Sequence, residues 1–333
     1  MIKKPNQAAS NPFKNSDSNK RYYTYDYYLK QTYGGKCAKI TLDAGFSCPN
    51  IDGACAEGGC IYCSARGSGD FAQPSQFSLR EQYERQREII TKKWDTERFI
   101  PYLQAHTNTY APISVLKRVY AEAMSLPGAV ALHIATRADC LSANVLSLLS
   151  EVSEQIPLTV ELGLQTIFDE TAKLINRGHT YGDFLRGYGA LREAVPRARI
   201  AVHLINGLPG EDKDMMLNSA AAVGVIGADE VKIHLLHVLK NTPLSEMYAR
   251  GEYTPMTREA YIETVAMQLS VIPSHTVIGR LTGDGAETEL LAPLWSLKKT
   301  ALINDIDKYL FEHRLWQGKF VDNAQKYWQN FFS

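Results

Sequence analysis

The stretch KITLDAGFSCPNIDGACAEGGCIYC, residues 39–63, decides the fold. A strand-like run, Lys39-Ile40-Thr41-Leu42-Asp43, opens into a loop that carries Cys48, Cys60 and Cys63 as C-x11-C-x2-C. Thiolates three residues apart can wrap one metal centre from a tight turn, and a third thiolate upstream closes the other side. No histidine precedes His106, so no nearby imidazole joins the set. Three ligands are one short of a structural zinc site. A [4Fe–4S] cube held by three thiolates, in contrast, keeps its fourth iron open for a substrate or cofactor. Gly58-Gly59, just ahead of Cys60, lets backbone come close to such a bulky group. Cys55 leaves a second reading open, because Cys48, Cys55, Cys60 and Cys63 together would make a four-thiolate zinc knuckle with spacing 6, 4 and 2.

The rest of the chain suits an enzyme core. Its 333 residues fit one α/β barrel of ~250 residues with extensions. Lysine plus arginine equals aspartate plus glutamate, 36 each, so no global field draws the chain to nucleic acid or membrane. Neither an apolar run of ~18 residues nor a signal-peptide pattern appears, and a cytoplasmic protein without a membrane partner is expected. Six clustered cysteines fit metal binding in a reducing compartment better than a disulfide framework. Cys37 and Cys140 lack a C-x2-C partner and read as unligated thiols.

Strands and helices alternate. Apolar, β-branched runs recur at 38–44, 99–107, 129–136, 158–166, 199–208 and 231–239, with helical stretches near 78–94, 113–125, 142–154, 168–195, 212–226 and 257–272. Six βα units in a row imply a parallel sheet with right-handed crossovers. Six strands bend into an open partial barrel, a (β/α)6 TIM-like fold, more readily than they close. The expected organisation is a basic, polar, partly disordered arm over 1–30, the partial barrel over 31–273, and an extension over 274–333 that packs on the barrel. Chemistry in such folds gathers at the carboxyl ends of the strands. Polar residues stand there: Thr107-Asn108, Thr136-Arg137, Gln165-Thr166, Asn206-Gly207 and His234 to His237.

The blocks KITLDAGFSCPNIDG…GGCIYC, TNTYAP, IATRADCL, VELGLQTIFDETAKLINRGH, HLINGLPGE, VKIHLLHVLKNTPL and LLAPLWSLKK occur in order along the chain. On these blocks the sequence resembles the radical S-adenosylmethionine (SAM) superfamily. Nearly end to end it is similar to the YhcC type, a relative of the elongator catalytic subunit and of coproporphyrinogen-oxidase-like proteins. The resemblance implies a [4Fe–4S] cluster on Cys48, Cys60 and Cys63, with SAM chelating the open iron. It also implies SAM contacts: Tyr62 against the adenine, Thr107 and Asn108 by the methionine amino group, Gln165 at the ribose and Arg177 at the carboxylate. Asn206 and His234 would border the adenosine. The implied reaction is reductive cleavage of SAM to a 5′-deoxyadenosyl radical that removes hydrogen from a substrate. A one-electron donor such as flavodoxin or ferredoxin would supply the electron, and a tRNA base is the nearest substrate by analogy with the elongator branch.

Three departures from the family pattern stand out. The cysteine spacing is wider than C-x3-C-x2-C, Ala135 stands where relatives carry a ribose-binding glutamate, and too few residues follow Val271 for an acetyltransferase domain.

Some residues carry a plainer alternative. Glu161, Gly163 and Gln165 share one strand face by the two-residue period, and an inward glutamate needs a partner, a lysine or arginine also turned inward. Arg137 and Asp139 can simply pair with each other. Residues 1–30 hold six Lys or Arg against two Asp, with five tyrosines interleaved. Single-stranded RNA binding uses that pattern, and tyrosines also cover barrel bottoms. A zinc-stabilised RNA-binding protein without catalysis is therefore the alternative from another class. The aromatic residues beyond Ser274, among them Trp295, Trp316 and Trp328, suggest packing along the open edge of the barrel.

Overall fold

The β-branched runs fold as parallel strands, and the capped stretches between them fold as the helices that carry the chain back. The structure, a computed structural model, describes residues 11–64, 67, 73–283, 285 and 287–322. Helix α1 (Tyr25–Tyr33) precedes β1 (Ala38–Leu42), α2 (Leu79–Thr91), β2 (Phe99–Leu103), α3 (Ile113–Met124) and β3 (Leu132–Thr136). There follow α4 (Ala143–Ser153), β4 (Leu158–Gln165), α5 (Asp169–Leu174), α6 (Tyr181–Ala194), β5 (Arg199–Asn206), α7 (Lys213–Val225) and β6 (Glu230–Leu235). The chain ends through β7 (Val238–Leu239), α8 (Pro243–Ala249), α9 (Arg258–Val271), β8 (Val277–Arg280), β9 (Leu290–Ala292) and α10 (Lys299–Glu312).

Strands β1 to β6 pair in chain order, and β8 adds to β6 as a seventh parallel strand; β7 and β9 form a separate antiparallel pair. The sheet curls into a half-barrel, the open partial barrel expected. Its seventh strand lies beyond residue 273, in the segment read as an extension.

Local chemistry sets the helix starts. Ser78 and Glu81 form a capping box on α2, Thr180 and Asp183 form one on α6, and Asp212 caps α7. The two faces of each strand then divide the labour. Ile40, Leu42, Leu103, Ile134, Val160, Leu162, Val202, Val231 and Ile233 are fully buried in the main core that the strands share with Tyr83, Tyr120, Phe184, Leu191 and Leu269 of the helices. Each such side chain contributes roughly 1.5–3 kcal/mol by leaving water. The alternate residues, Lys39, Tyr102, His133, Glu161, His203 and Lys232, face the barrel interior by the same two-residue period.

Two expectations change in the structure. The helical stretch over 168–195 is two helices: α5 ends at Leu174, and Asn176 (φ 54°) and Gly178 (φ 75°) adopt left-handed conformations in the turn before α6. A Cβ on Gly178 would come within 2.3 Å of Asn50 Oδ1, so glycine is required there by contact as well as by φ.

The tyrosine-rich tract is the second change, for it folds onto the barrel. Thr24 bridges Ile278, and the Ile278 amide donates to the Tyr23 carbonyl at 2.8 Å, so this segment pairs with the free edge of β8. Arg21 and Tyr22 are buried, and Tyr25 lines the floor of the interior. Arg199 lies 4.1 Å over the Tyr28 ring, further packing the barrel's lower end. Residues 1–10 and Trp328 lie outside the described residues.

Candidate cofactor and substrate cavity

A cavity of about 500 Å3 occupies the barrel interior and opens at the carboxyl ends of the strands. Cys48, Cys60, Cys63, Tyr62, Thr107, Gln165, Arg177 and His234 all line it, as do Lys39, Tyr102, Glu161, His203 and Lys232 from the strand interiors. Residues more than 180 positions apart in the chain thus meet on one wall.

Two asparagines hold the cysteine loop in place. Asn50 Nδ2 donates to the Asn176 carbonyl at 2.6 Å and to Cys60 Sγ at 3.4 Å. Asn176 Nδ2 in turn donates to the carbonyls of Glu57 and Gly59 at 2.8 and 2.7 Å. The α5–α6 turn and the thiol loop are thereby stapled together, which carries Arg177 to the cavity beside the thiols. Arg177 Nη2 donates to the Gly163 carbonyl at 2.5 Å. Cys63 hydrogen-bonds to Cys60 and draws its thiol down to about 5 against the opposing effect of burial, with Arg177 adding to the pull. The same bond raises Cys63.

The donor set fits a bound polar group. Thr107 Oγ1, Gln165 Oε1, Arg177 Nε and His234 Nε2 are all buried on this wall without a protein hydrogen-bond partner. Buried polar atoms are nearly always paired, so these orphans around one cavity, with Asn50 Oδ1 beside them, fit a ligand rich in donors and acceptors. Gln165 also stands at φ 76°, where β4 shifts register against β5, an unfavourable conformation for a non-glycine residue. Three thiols on the same wall provide soft ligands for iron. Among the described residues no three His, Cys, Asp or Glu side chains are gathered closely enough for a single ion; a cube spreads its ligands wider than one ion does.

Below the thiols lies a charge network centred on Glu161, which is fully buried. Lys39 Nζ donates to Oε1 at 3.0 Å and Lys232 Nζ donates to Oε2. A carboxylate can only accept, so His133 Nδ1 and His203 Nε2 donate to it, at 2.7 and 2.9 Å. His133 Nε2 is then left to accept from the Tyr25 hydroxyl at 3.4 Å. Burial alone would raise Glu161; the Lys232 and Lys39 ammonium groups and the two imidazole bonds more than reverse this and hold it well below the carboxylate range. Burial, aided by Lys39 and Lys232 respectively, lowers His133 to about 3 and His203 to about 4. Both imidazoles are therefore neutral at pH 7.

Of the ten residues expected at the site, eight line the cavity and two do not. Asn108 points into the loop wall, donating to the Ala105 and Ala135 carbonyls at 2.8 and 3.0 Å. Asn206 turns out toward α9, where its amide is exchanged with that of Gln268. Cys55 is exposed and off the wall, its thiol 3.7 Å from Asp139 Oδ2, so the four-thiolate zinc reading is not favoured. Arg137 does pair with Asp139, through two bonds at 2.9 and 2.7 Å.

Sequence reasoning missed Asn50, Asn176, Lys39 and Lys232. Only the inward-facing Glu161 signalled that basic partners had to exist, and nothing in the sequence said which ones.

Fold and site together define a half-barrel enzyme whose chemistry is carried by a thiol loop at the carboxyl ends of its strands. The chain belongs to the radical SAM superfamily: the superfamily's pattern matches residues 51–223, and that of the Radical SAM C-terminal domain matches residues 228–312. The first match begins after Cys48, so Cys60 and Cys63 fall inside it. Enzymes of this superfamily cleave SAM at an iron–sulfur cluster and need an electron donor.

The chain is 41% identical to protein YtqA of Bacillus subtilis over 317 residues, covering 95% of this chain and 98% of that one. It is 35% identical to protein YhcC of Escherichia coli strain K12 over 286 residues, covering 86% and 91%. The tRNA uridine(34) acetyltransferase of Methanocaldococcus jannaschii is 31% identical over 190 residues, which are 55% of this chain and 33% of that protein. Among solved structures, the archaeal Elp3 of Methanocaldococcus infernus superposes with a TM-score of 0.63 at 22% identity, over 84% of this chain and 64% of that one. Among the described residues, no helix is long and apolar enough to cross a membrane.

Proposed function

We propose that Cys48, Cys60 and Cys63 hold a [4Fe–4S] cluster, and that the orphaned groups above the Glu161 network bind SAM. The single observation that carries this reading is the convergence of three thiols and the unpartnered buried atoms of Thr107, Gln165, Arg177 and His234 on one cavity wall. Arg177, fixed by its bond to Gly163, would meet the SAM carboxylate; Thr107 would accept from the amino group, Gln165 would bond the ribose, and Tyr62 and His234 would flank the adenosine. When bound, cluster and SAM supply a 5′-deoxyadenosyl radical after one-electron reduction, with a flavodoxin or ferredoxin as donor. The protein's part is to orient the substrate carbon and keep water out of the interior.

The substrate we propose is a base in tRNA. Support comes from the similarity to an archaeal tRNA uridine(34) acetyltransferase. That likeness spans a third of the relative, and acyl transfer is not proposed for this chain.

The test is anaerobic turnover. Reduced, reconstituted protein should convert SAM to 5′-deoxyadenosine and methionine even without substrate, and S-adenosylhomocysteine as sole product would overturn the reading. Mass spectrometry of tRNA nucleosides from cells with and without the gene then tests the substrate.

A further inference from the structure

On the floor of the cavity two ammonium groups share the one carboxylate that lines it. Lys39 from β1 and Lys232 from β6 reach opposite oxygens of the one Glu161 carboxylate. Both ammonium groups lie over the Tyr102 ring, the first 5.1 Å and the second 4.8 Å from its centroid. His133 and His203 add no charge, being held neutral by burial. Glu230, a second carboxylate at this depth, is off the cavity wall; burial raises it, and Lys39 and Lys232 oppose that rise.

The upper cations differ. Arg137 is matched by Asp139, and Arg177 faces the thiols and the proposed SAM carboxylate. A structural pair for Glu161 would need Lys232 alone. Each ammonium carries three donors and spends one on Glu161, so both retain donors for a guest. Two ammonium groups with donors to spare in a secluded interior suit an anion, which gives those donors partners.

We propose that Lys39 and Lys232 bind an anionic oxygen group of the substrate, a carboxylate or a phosphate, and thereby anchor it beneath the SAM end of the cavity. Two charge-assisted hydrogen bonds, one from each ammonium, hold the anion. Glu161 is a positioning residue: it fixes both lysines and moderates their pull. As a substrate site the floor rests on the radical SAM reading; as an anion site it can be tested separately.

The experiment uses reconstituted holoprotein with saturating SAM. Acetate and inorganic phosphate are titrated at constant ionic strength against chloride, with melting temperature as the readout. At least one of the two should raise it saturably while chloride does not, and the tighter of them identifies the anion's chemistry. Lys39→Met and Lys232→Met should each weaken that binding about tenfold or more, and Glu161→Gln should tighten it. Lys232→Met with Glu161→Gln keeps the wild-type net charge of the three groups should the single lysine variant fold poorly, and with one ammonium gone it too should bind weakly. The absence of a saturable shift, or equal shifts in wild type and lysine variants, would overturn the proposal. SAM cleavage by the same wild-type samples separates the two readings. Cleavage without an anion effect removes the floor site alone, whereas an anion effect without cleavage leaves the anion site and removes the cofactor reading.

Discussion

Asn206 and Gln268 exchange their side-chain amides, each nitrogen donating at 2.8 Å to the other's oxygen between β5 and α9. Gln268 also donates to the Met216 carbonyl at 2.9 Å. The pair locks a helix to the sheet behind the cavity. Gln268→Ala should therefore lower unfolding free energy by about 1–3 kcal/mol, because it strands a buried amide and a carbonyl. Urea denaturation reads that loss. SAM cleavage per folded molecule should persist; if cleavage fell while stability held, the pair would belong to the site.

The thiols should divide three to one. Cys48→Ala, Cys60→Ala and Cys63→Ala are each expected to lose bound iron and SAM cleavage, whereas Cys55→Ala should retain both, since Cys55 is exposed and off the cavity wall. Iron content after anaerobic reconstitution is the check, and metal loss in Cys55→Ala would contradict the assignment.

Gly163 is tight against the side chains proposed to hold SAM. A Cβ there would stand 2.8 Å from Gln165 Nε2 and 2.9 Å from Arg177 Nη2. Both are flexible side-chain ends, so Gly163→Ala should displace them at little cost to stability while weakening SAM binding about tenfold, roughly 1.4 kcal/mol. Equilibrium binding of SAM to the unreduced holoprotein measures it. Unchanged affinity would place SAM away from this pair.

Stability should fall on mild acidification. His133 and His203 are lowered to about 3 and about 4, while unfolded imidazoles titrate near 6.5. Below 6.5 the unfolded chain takes up protons that the folded chain refuses, so stability declines as pH drops from 6.5 toward 4. Glu161 acts further down: its folded value lies below the unfolded one, so its contribution is present above the ordinary carboxylate pKa and is lost only as pH falls past that. Between pH 7.5 and 5 the histidines should together cost on the order of 2–4 kcal/mol. The urea midpoint across that interval tests this, and His133→Gln with His203→Gln should lessen the slope, leaving the share of His179 and His234, which burial also lowers.

Much of the fold is legible in the residues themselves. The β-branched runs at 38–44, 99–107, 129–136, 158–166, 199–208 and 231–239 hold β1 to β6 in chain order, the strands being shorter than most of the runs and β6 starting one residue earlier, because patterning of period two and caps such as Ser78 and Asp212 act locally. The short β8 was missed, since four residues, Val277–Arg280, carry too little pattern to stand out. The split at Asn176 and Gly178 was missed for another reason: it exists to dock on Asn50, more than a hundred residues away.

The sequence by itself determined the order of strands and helices and the presence of three closely placed thiols, properties set by neighbours along the chain. Only the tertiary structure decided that Asn206 faces α9 while His234 faces the cavity. It alone decided that Lys39 and Lys232, at opposite ends of the barrel sequence, share Glu161. Those outcomes depend on sheet curvature and strand register, which bring distant side chains to a common depth, and no local pattern encodes that distance.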